Sequence, residues 1–207
     1  VRSRGLGDVY KRQVDGKPMR RADLAALRQA MAAQATGRAA RADGAAVPPW
    51  LLDDETLSIG AGAGSRSWPL DALPTPAAVP WAELHAVPTL LVTGSNGKTT
   101  TVRLLAAIAR AAGLRPGLCS TEGVVVGDET VQTGDYSGPA GARAVLRHPQ
   151  VQAAILETAR GGILRRGLAV AHADVAVVTR IAADHLGEYG VHTDARGAVT
   201  VDADSRS

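Results

Sequence analysis

Leu90-Leu91-Val92-Thr93-Gly94-Ser95-Asn96-Gly97-Lys98-Thr99-Thr100-Thr101 is the stretch whose pattern decides the fold. An apolar strand at Thr89–Thr93 enters a glycine-bearing turn, and Lys-Thr then opens a helical pattern over Thr99–Ala112 that Gly113 closes. A strand–turn–helix of this kind makes a cradle for phosphate. Gly94 and Gly97 let the backbone turn its N–H groups inward, and the helix start adds its positive end at the same spot. Lys98 is then placed to reach the β and γ phosphates of a nucleotide, and the Thr99 hydroxyl to meet Mg²⁺. Ser95, Asn96 and Thr100 complete the candidate nucleotide-binding set. The general G-x-x-x-x-G-K-[ST] pattern carries glycine where this chain has Val92, so the match is incomplete at its first position. Lysine is scarce, with Lys11, Lys17 and Lys98 against twenty arginines, which makes a lysine inside this loop the more informative.

Working outward from the loop, strand and helix patterns alternate. Pro116–Thr121 reads as a short strand, Gly123–Gln132 as a hairpin turning at Gly127-Asp128, and Gly141–Arg147 as a helix. Ala153–Glu157 and Asp174–Thr179 read as further strands. Strands separated by helices predict an α/β fold, a mostly parallel sheet flanked by helices in the manner of a P-loop NTPase. In such sheets ligands sit beyond the carboxyl ends of the strands. On the N-terminal side, Thr56–Ile59 is a short strand and Gly60–Pro80 is irregular. Thr36–Pro49 reads as a linker, and Pro18–Gln34 as a helix with Leu24, Leu27 and Met31 on one face. Val1–Gln13 has no period and is set aside as a scar.

A phosphate loop needs a divalent cation partner, usually a carboxylate at the end of a neighbouring strand. Glu157 closes the apolar Ala153-Ala154-Ile155-Leu156 and opens onto a Gly161-Gly162 turn, which suits it for that task. The next strand ends similarly, at Thr179-Arg180-Ile181-Ala182-Ala183-Asp184-His185. Asp184 and His185 are candidates for a second Mg²⁺ or for positioning substrate. The polar loop Gly134-Asp135-Tyr136-Ser137-Gly138-Pro139 is by itself a turn, and contacts substrate only if it lies over the phosphate loop. His85, His148, His172 and His192 lack such a context and read as surface or structural groups.

Composition narrows the rest. The chain has 207 residues, 45% of them hydrophobic and 21% charged, which excludes global disorder. Phe is absent, so Leu, Val, Ile and Ala must fill the core. One cysteine, Cys119, excludes an intrachain disulfide framework and makes a reducing, cytoplasmic setting the default. No run approaches the roughly 18 apolar residues of a membrane helix. A net charge of +3 with dispersed arginines gives no nucleic-acid footprint.

With these residues in view, the chain resembles the central ATPase domain of the Mur ligase family, and within it the C-terminal ligase half of cyanophycin synthetases and related stand-alone proteins. Thr93–Thr100 (TGSNGKTT) is similar to that family's variant phosphate loop, which also lacks the first glycine. Gly134–Pro139, Leu156–Gly167 (LETARGGILRRG) and Val177–Gly187 follow its pattern as well, and the likeness covers roughly Thr56–Val191. The resemblance implies an ATP- and Mg²⁺-dependent ligase that joins a carboxylate to an amine through an acyl phosphate. It implies that Lys98 and Thr99 hold the triphosphate and its Mg²⁺, that Glu157 is a magnesium ligand, and that His185 contacts a second magnesium. Lys98, Glu157 and His185 become the catalytic set, and Asp135, Ser137 and Arg160 the candidate substrate contacts. A small-molecule or amino-acid-polymer substrate is implied, while the oligomeric state stays open.

The domain reading follows: 1–13 a scar or disordered, 14–55 helix and linker, 56–193 the ATP-binding domain, and 194–207 a tail. Three departures from the family pattern stand out. Arg180 occupies a position where Asn is usual, and as a cation is expected to pair with Glu157 or weaken metal binding at His185. No lysine follows Lys98, so the carbamylated lysine of many Mur ligases has no counterpart here. No C-terminal ligase domain follows, which suggests a fragment. The alternatives are a non-catalytic nucleotide-binding module and a P-loop phosphotransferase of another class.

Overall fold

The computed structural model describes residues 48–53, 55–182, 191–193 and 199–201. The segment 1–13 set aside above, the stretch Pro18–Gln34 read as a helix, most of the expected linker, and Asp184 and His185 lie outside the described residues. Strands β1 (Trp50–Leu52), β2 (Thr56–Ile59) and β3 (Arg66–Pro69) form a small antiparallel sheet in that order. Beyond it come β4 (Thr89–Thr93), α1 (Lys98–Ala111), β5 (Pro116–Ser120), β6 (Gly123–Val126) and β7 (Glu129–Thr133). They are followed by α2 (Pro139–Arg147), β8 (Ala153–Glu157), α3 (Arg160–Arg166) and β9 (Val175–Val178). Two short strands, β10 (Val191–Thr193) and β11 (Val199–Val201), pair antiparallel with each other.

The main sheet has the order β7-β6-β5-β8-β4-β9. Its four strands β5, β8, β4 and β9 run parallel, and the β6–β7 hairpin extends the sheet antiparallel to β5. The chain leaves β4 through α1 to reach β5, returns to β8, and crosses β4 to β9. Connections therefore diverge at β4, and the crevice beyond its carboxyl end is where such a sheet takes a ligand. Side-chain alternation gives each face its own core. Ala154 and Leu156 join Val145 and Leu146 of α2 on one face, whereas Ile155 joins Val92 and the α1 residues Val102 and Ala106 on the other. Gly117 on β5 carries no side chain because a Cβ there would lie 2.7 Å from Val145, so α2 sits close against the sheet.

Three readings need correction. Gly60–Pro80 is not irregular throughout, because Arg66–Pro69 forms β3; its Gly, Ser and Pro neighbours obscure a strand held by the β2 partner. Trp50–Leu52, before the start given to the ATP-binding domain, pairs with β2, so the division at residues 55–56 cuts a hairpin. The Gly161-Gly162 segment is not a turn but part of α3, a helix with no apolar period, which ends at Gly167 with φ of 70°. The second helix also begins two residues earlier than expected, at Pro139, where the fixed φ of proline suits a first helical position.

Arg147 at the end of α2 ties the small sheet to the main one. Its guanidinium pairs with Asp53 and donates to Ser58 Oγ at 2.7 Å, with longer contacts to the Leu51 and Thr56 carbonyls. Burial alone would push the Asp53 carboxyl up, but the Arg147 bond and the Glu55 and Thr56 amides carry it below its usual value of 3.8. A depressed carboxyl contributes stability above its unfolded pKa and loses it as pH falls through the folded one. We expect Asp53→Asn to cost about 2 kcal/mol in urea unfolding at pH 7, the scale of a hydrogen bond to a charged group. The cost should shrink below pH 4, and an equal cost at pH 3 would count against the ion pair.

Candidate functional site

Four strand ends converge on one cleft of about 820 Å³, whose lining includes Lys98, Asp135, Ser137, Arg160 and Arg180. From β4 comes the loop Gly94–Gly97. Gly94 has φ of 135° and Gly97 of 84°, left-handed conformations that L side chains rarely adopt. Gly97 caps α1, so the helix begins at Lys98 with its amide end toward the loop. Lys98 folds back over this loop, its ammonium donating to Gly94 O at 2.8 Å and Ser95 O at 3.1 Å. Asn96, Gly97 and Thr100 are exposed, and Lys98 and Thr99 half-buried.

From β8 comes Glu157, 1% exposed. Thr99 Oγ1 donates to its Oε2 at 2.8 Å, which brings together two residues 58 positions apart in sequence. The other carboxyl oxygen, Oε1, is buried without a hydrogen-bond partner. Burial pushes this carboxyl up from its usual range, and the Asp135 charge adds to that, while the Thr99 bond, the Lys98 charge and the Thr121 backbone oppose it. The expected Arg180–Glu157 pairing is not found: Lys98 and Asp135 are the charges that act on Glu157. Arg180 instead offers its backbone carbonyl to the Ser95 amide at 2.8 Å.

A buried carboxylate oxygen with no donor, beside a threonine hydroxyl under a phosphate-type loop, is chemically suited to a hard cation. Among the described residues no three His, Cys, Asp or Glu side chains cluster as a ready cage. Mg²⁺ needs none, since it is commonly held by one or two carboxylates together with water and phosphate oxygens.

The 134–139 loop meets the condition set for it, because Asp135 and Ser137 line the same cleft as Lys98. Asp135 Oδ1 accepts from the Ser137 hydroxyl at 2.7 Å and its amide at 2.9 Å, which lowers the Asp135 pKa. The loop is fixed from both sides, by Tyr136 N to Ser120 O at 2.9 Å and Ala159 N to Ser137 O at 3.2 Å. Arg160 stands at the first turn of α3 on the cleft wall. Two residues at the site were missed in the sequence. Thr121, after β5, has its hydroxyl 3.3 Å from that of Thr99. Thr179, after β9, bonds to the carbonyls of Thr93 and Asn96. Neither lies in a spacing that points to the loop; only the strand order brings them there.

Comparison with known proteins places the chain in a family. Residues 92–195 match the family model described as the Mur ligase middle domain. The chain is 45% identical over 145 residues to a cyanophycin synthetase of Geminocystis herdmanii, covering 66% of this chain and 17% of that protein. It is 54% identical over 101 residues to one of Trichormus variabilis, covering 49% of this chain and 11% of that protein. A UDP-N-acetylmuramoyl-L-alanyl-D-glutamate–2,6-diaminopimelate ligase of Xylella fastidiosa is 36% identical over 104 residues, covering 48% of this chain and 21% of that protein. The chain thus spans less than a quarter of each of these relatives.

Proposed function

This chain belongs to the Mur ligase family, whose middle domain it carries, and on that premise we propose that it is the nucleotide-binding part of an ATP-dependent ligase joining a carboxylate to an amine. One observation supports the reading above the others: the Thr99–Glu157 bond of 2.8 Å, with Glu157 Oε1 left buried and unpartnered beside Lys98. In this reading the amides around Gly94–Lys98 receive the triphosphate, and the Lys98 ammonium offsets charge on the transferring phosphoryl group. Thr99 and Glu157 would hold Mg²⁺ there, while His185, which the family resemblance implies for a second magnesium, lies outside the described residues. A bound magnesium supplies charge neutralisation at the phosphate oxygens.

The substrate groups then fall to Arg160 and Asp135, which line the same cleft as Lys98. Arg160 offers a cation to the carboxylate substrate, which an Arg fork recognises well. Asp135 is exposed and held ionised by Ser137, so it offers an anion to the incoming ammonium. The substrate class is an amino acid or an amino-acid polymer. ATP phosphorylates the carboxylate, and the amine displaces phosphate to leave an amide.

Trapping separates this reading from its rivals. The chain, MgATP, a poly-amino acid with a free α-carboxyl and hydroxylamine are incubated together. A ligase is expected to give hydroxamate, ADP and free phosphate. A kinase leaves the phosphoryl group on a product that hydroxylamine does not consume. A non-catalytic module binds MgATP and forms neither.

A further inference from the structure

A loop that receives phosphate must present N–H groups, so its carbonyls have to be turned away and held there. In this chain the holding comes from the end of β9. Thr179 Oγ1 donates to Asn96 O at 2.6 Å, with a longer approach of 3.2 Å to Thr93 O. A hydroxyl has one proton, so the shorter bond to Asn96 is the principal one. The Thr179 amide covers Thr93 O at 2.9 Å. The same side chain fills the space that Gly94 leaves, since a Cβ there would lie 2.3 Å from Thr179 Oγ1. The following residues continue the lacing: Arg180 O accepts from Ser95 N at 2.8 Å, and Ala182 N donates to Ser95 Oγ at 3.1 Å.

We propose that Thr179 is the positioning residue of the phosphate loop, acting through the Asn96 carbonyl and the bare backbone of Gly94 without touching the nucleotide. The proposal rests on the reading of the loop as an ATP site. With the hydroxyl in place, Asn96 O points away from the anion and the loop amides are pre-set; without it, the loop must be ordered when the nucleotide arrives. That ordering appears as lost affinity.

Three variants of the chain isolate the hydroxyl. Thr179→Ser keeps it and loses the methyl, Thr179→Val keeps the β-branched shape and loses the hydroxyl, and Thr179→Ala loses both. By calorimetry, Ser is expected to bind MgATP within about twofold of the parent. Val and Ala should bind about tenfold more weakly, the equivalent of one ordinary hydrogen bond. Amide hydrogen exchange of the nucleotide-free chain across residues 94–98 should quicken in Val and Ala but not in Ser. Should Val fail to fold, the Ser–Ala pair still isolates the oxygen. Ser as weak as Ala, or all three equal to the parent, overturns the proposal. If the parent binds no MgATP, the ATP reading fails on its own account. The exchange rates then decide for Thr179, and unchanged rates in Ala overturn its role.

Discussion

Lys98→Ala is expected to abolish measurable ATP binding, a loss of at least about 100-fold. The ammonium is already aimed: two of its three protons go to Gly94 O and Ser95 O at 2.8 and 3.1 Å, which leaves the third for a phosphate oxygen. Hydrogen bonds to charged groups contribute about 1.5–3 kcal/mol each, and every 1.4 kcal/mol is tenfold in affinity, so losing the one phosphate contact together with the hold on the two loop carbonyls suffices. The same ammonium clamps the loop carbonyls, so the alanine variant loses both a phosphate contact and the clamp. Lys98→Arg is expected to rescue little, because a planar fork does not fit over two carbonyls of one tight turn as a compact ammonium does. Calorimetric titration of each variant with MgATP checks both statements. Undiminished affinity in Lys98→Ala would reject the phosphate-loop assignment, and since Lys98 is half-buried at a loop the melting temperature should move little.

The strand–turn–helix that carries the candidate phosphate loop was legible because its signals are local. Glycines, lysine and threonine act within eight residues, and the strand before them and the helix after them each carry an unbroken pattern. Thr89–Thr93 and Ala153–Glu157 are strands over those same residues. The place of Glu157 at the end of a buried strand was legible for a related reason, since an apolar run closed by an acid marks that end. What stayed hidden depends on strand order. Nothing in the spacing of Thr179 says that β9 lies beside β4, yet that pairing, with Thr93 opposite Val178, sets its hydroxyl under the loop. Thr121 reaches Thr99 only because β8 separates β5 from β4. The strand at Arg66–Pro69 was hidden by composition, since its stability comes from pairing with β2 and from Trp68 packing, not from an apolar alternation of its own. The α3 helix shows the opposite case: two glycines argue against helix, yet the Ala159 carbonyl accepts from Ile163 N at 3.1 Å and the turn closes.

Glu157→Gln is the second substitution from which a large effect is expected, and it should move two quantities in opposite directions. Oε1 of Glu157 is buried with no donor, an arrangement that a folded protein tolerates at a cost when a ligand is due there. If that ligand is Mg²⁺, the amide variant loses a charged oxygen donor. Magnesium-dependent tightening of ATP binding should then fall by at least about 100-fold, beyond the 10–100-fold typical of outer-shell partners. ATP affinity in EDTA should stay within about threefold, because Lys98 and the loop amides are untouched. Stability should rise. Burial places the folded carboxyl above its usual pKa of 4.5, so its ionisation penalises the native state increasingly as pH climbs through the folded value. Glutamine carries no such penalty. The metal-free variant is therefore expected to melt a few degrees higher than the parent at pH 8, where about 1 kcal/mol moves a domain of this size by about 2–4 °C. The gain should vanish near pH 3, well below the usual pKa, where the parent carboxyl is neutral in both states. Magnesium reverses the order, since only the parent gains from the ion. Scanning calorimetry at both pH values, in EDTA and in MgATP, reads all four corners. A magnesium titration unchanged in the variant would remove Glu157 from the metal site, whereas a variant that melts lower at pH 8 would show that the carboxylate is held by a proton donor rather than kept for a cation.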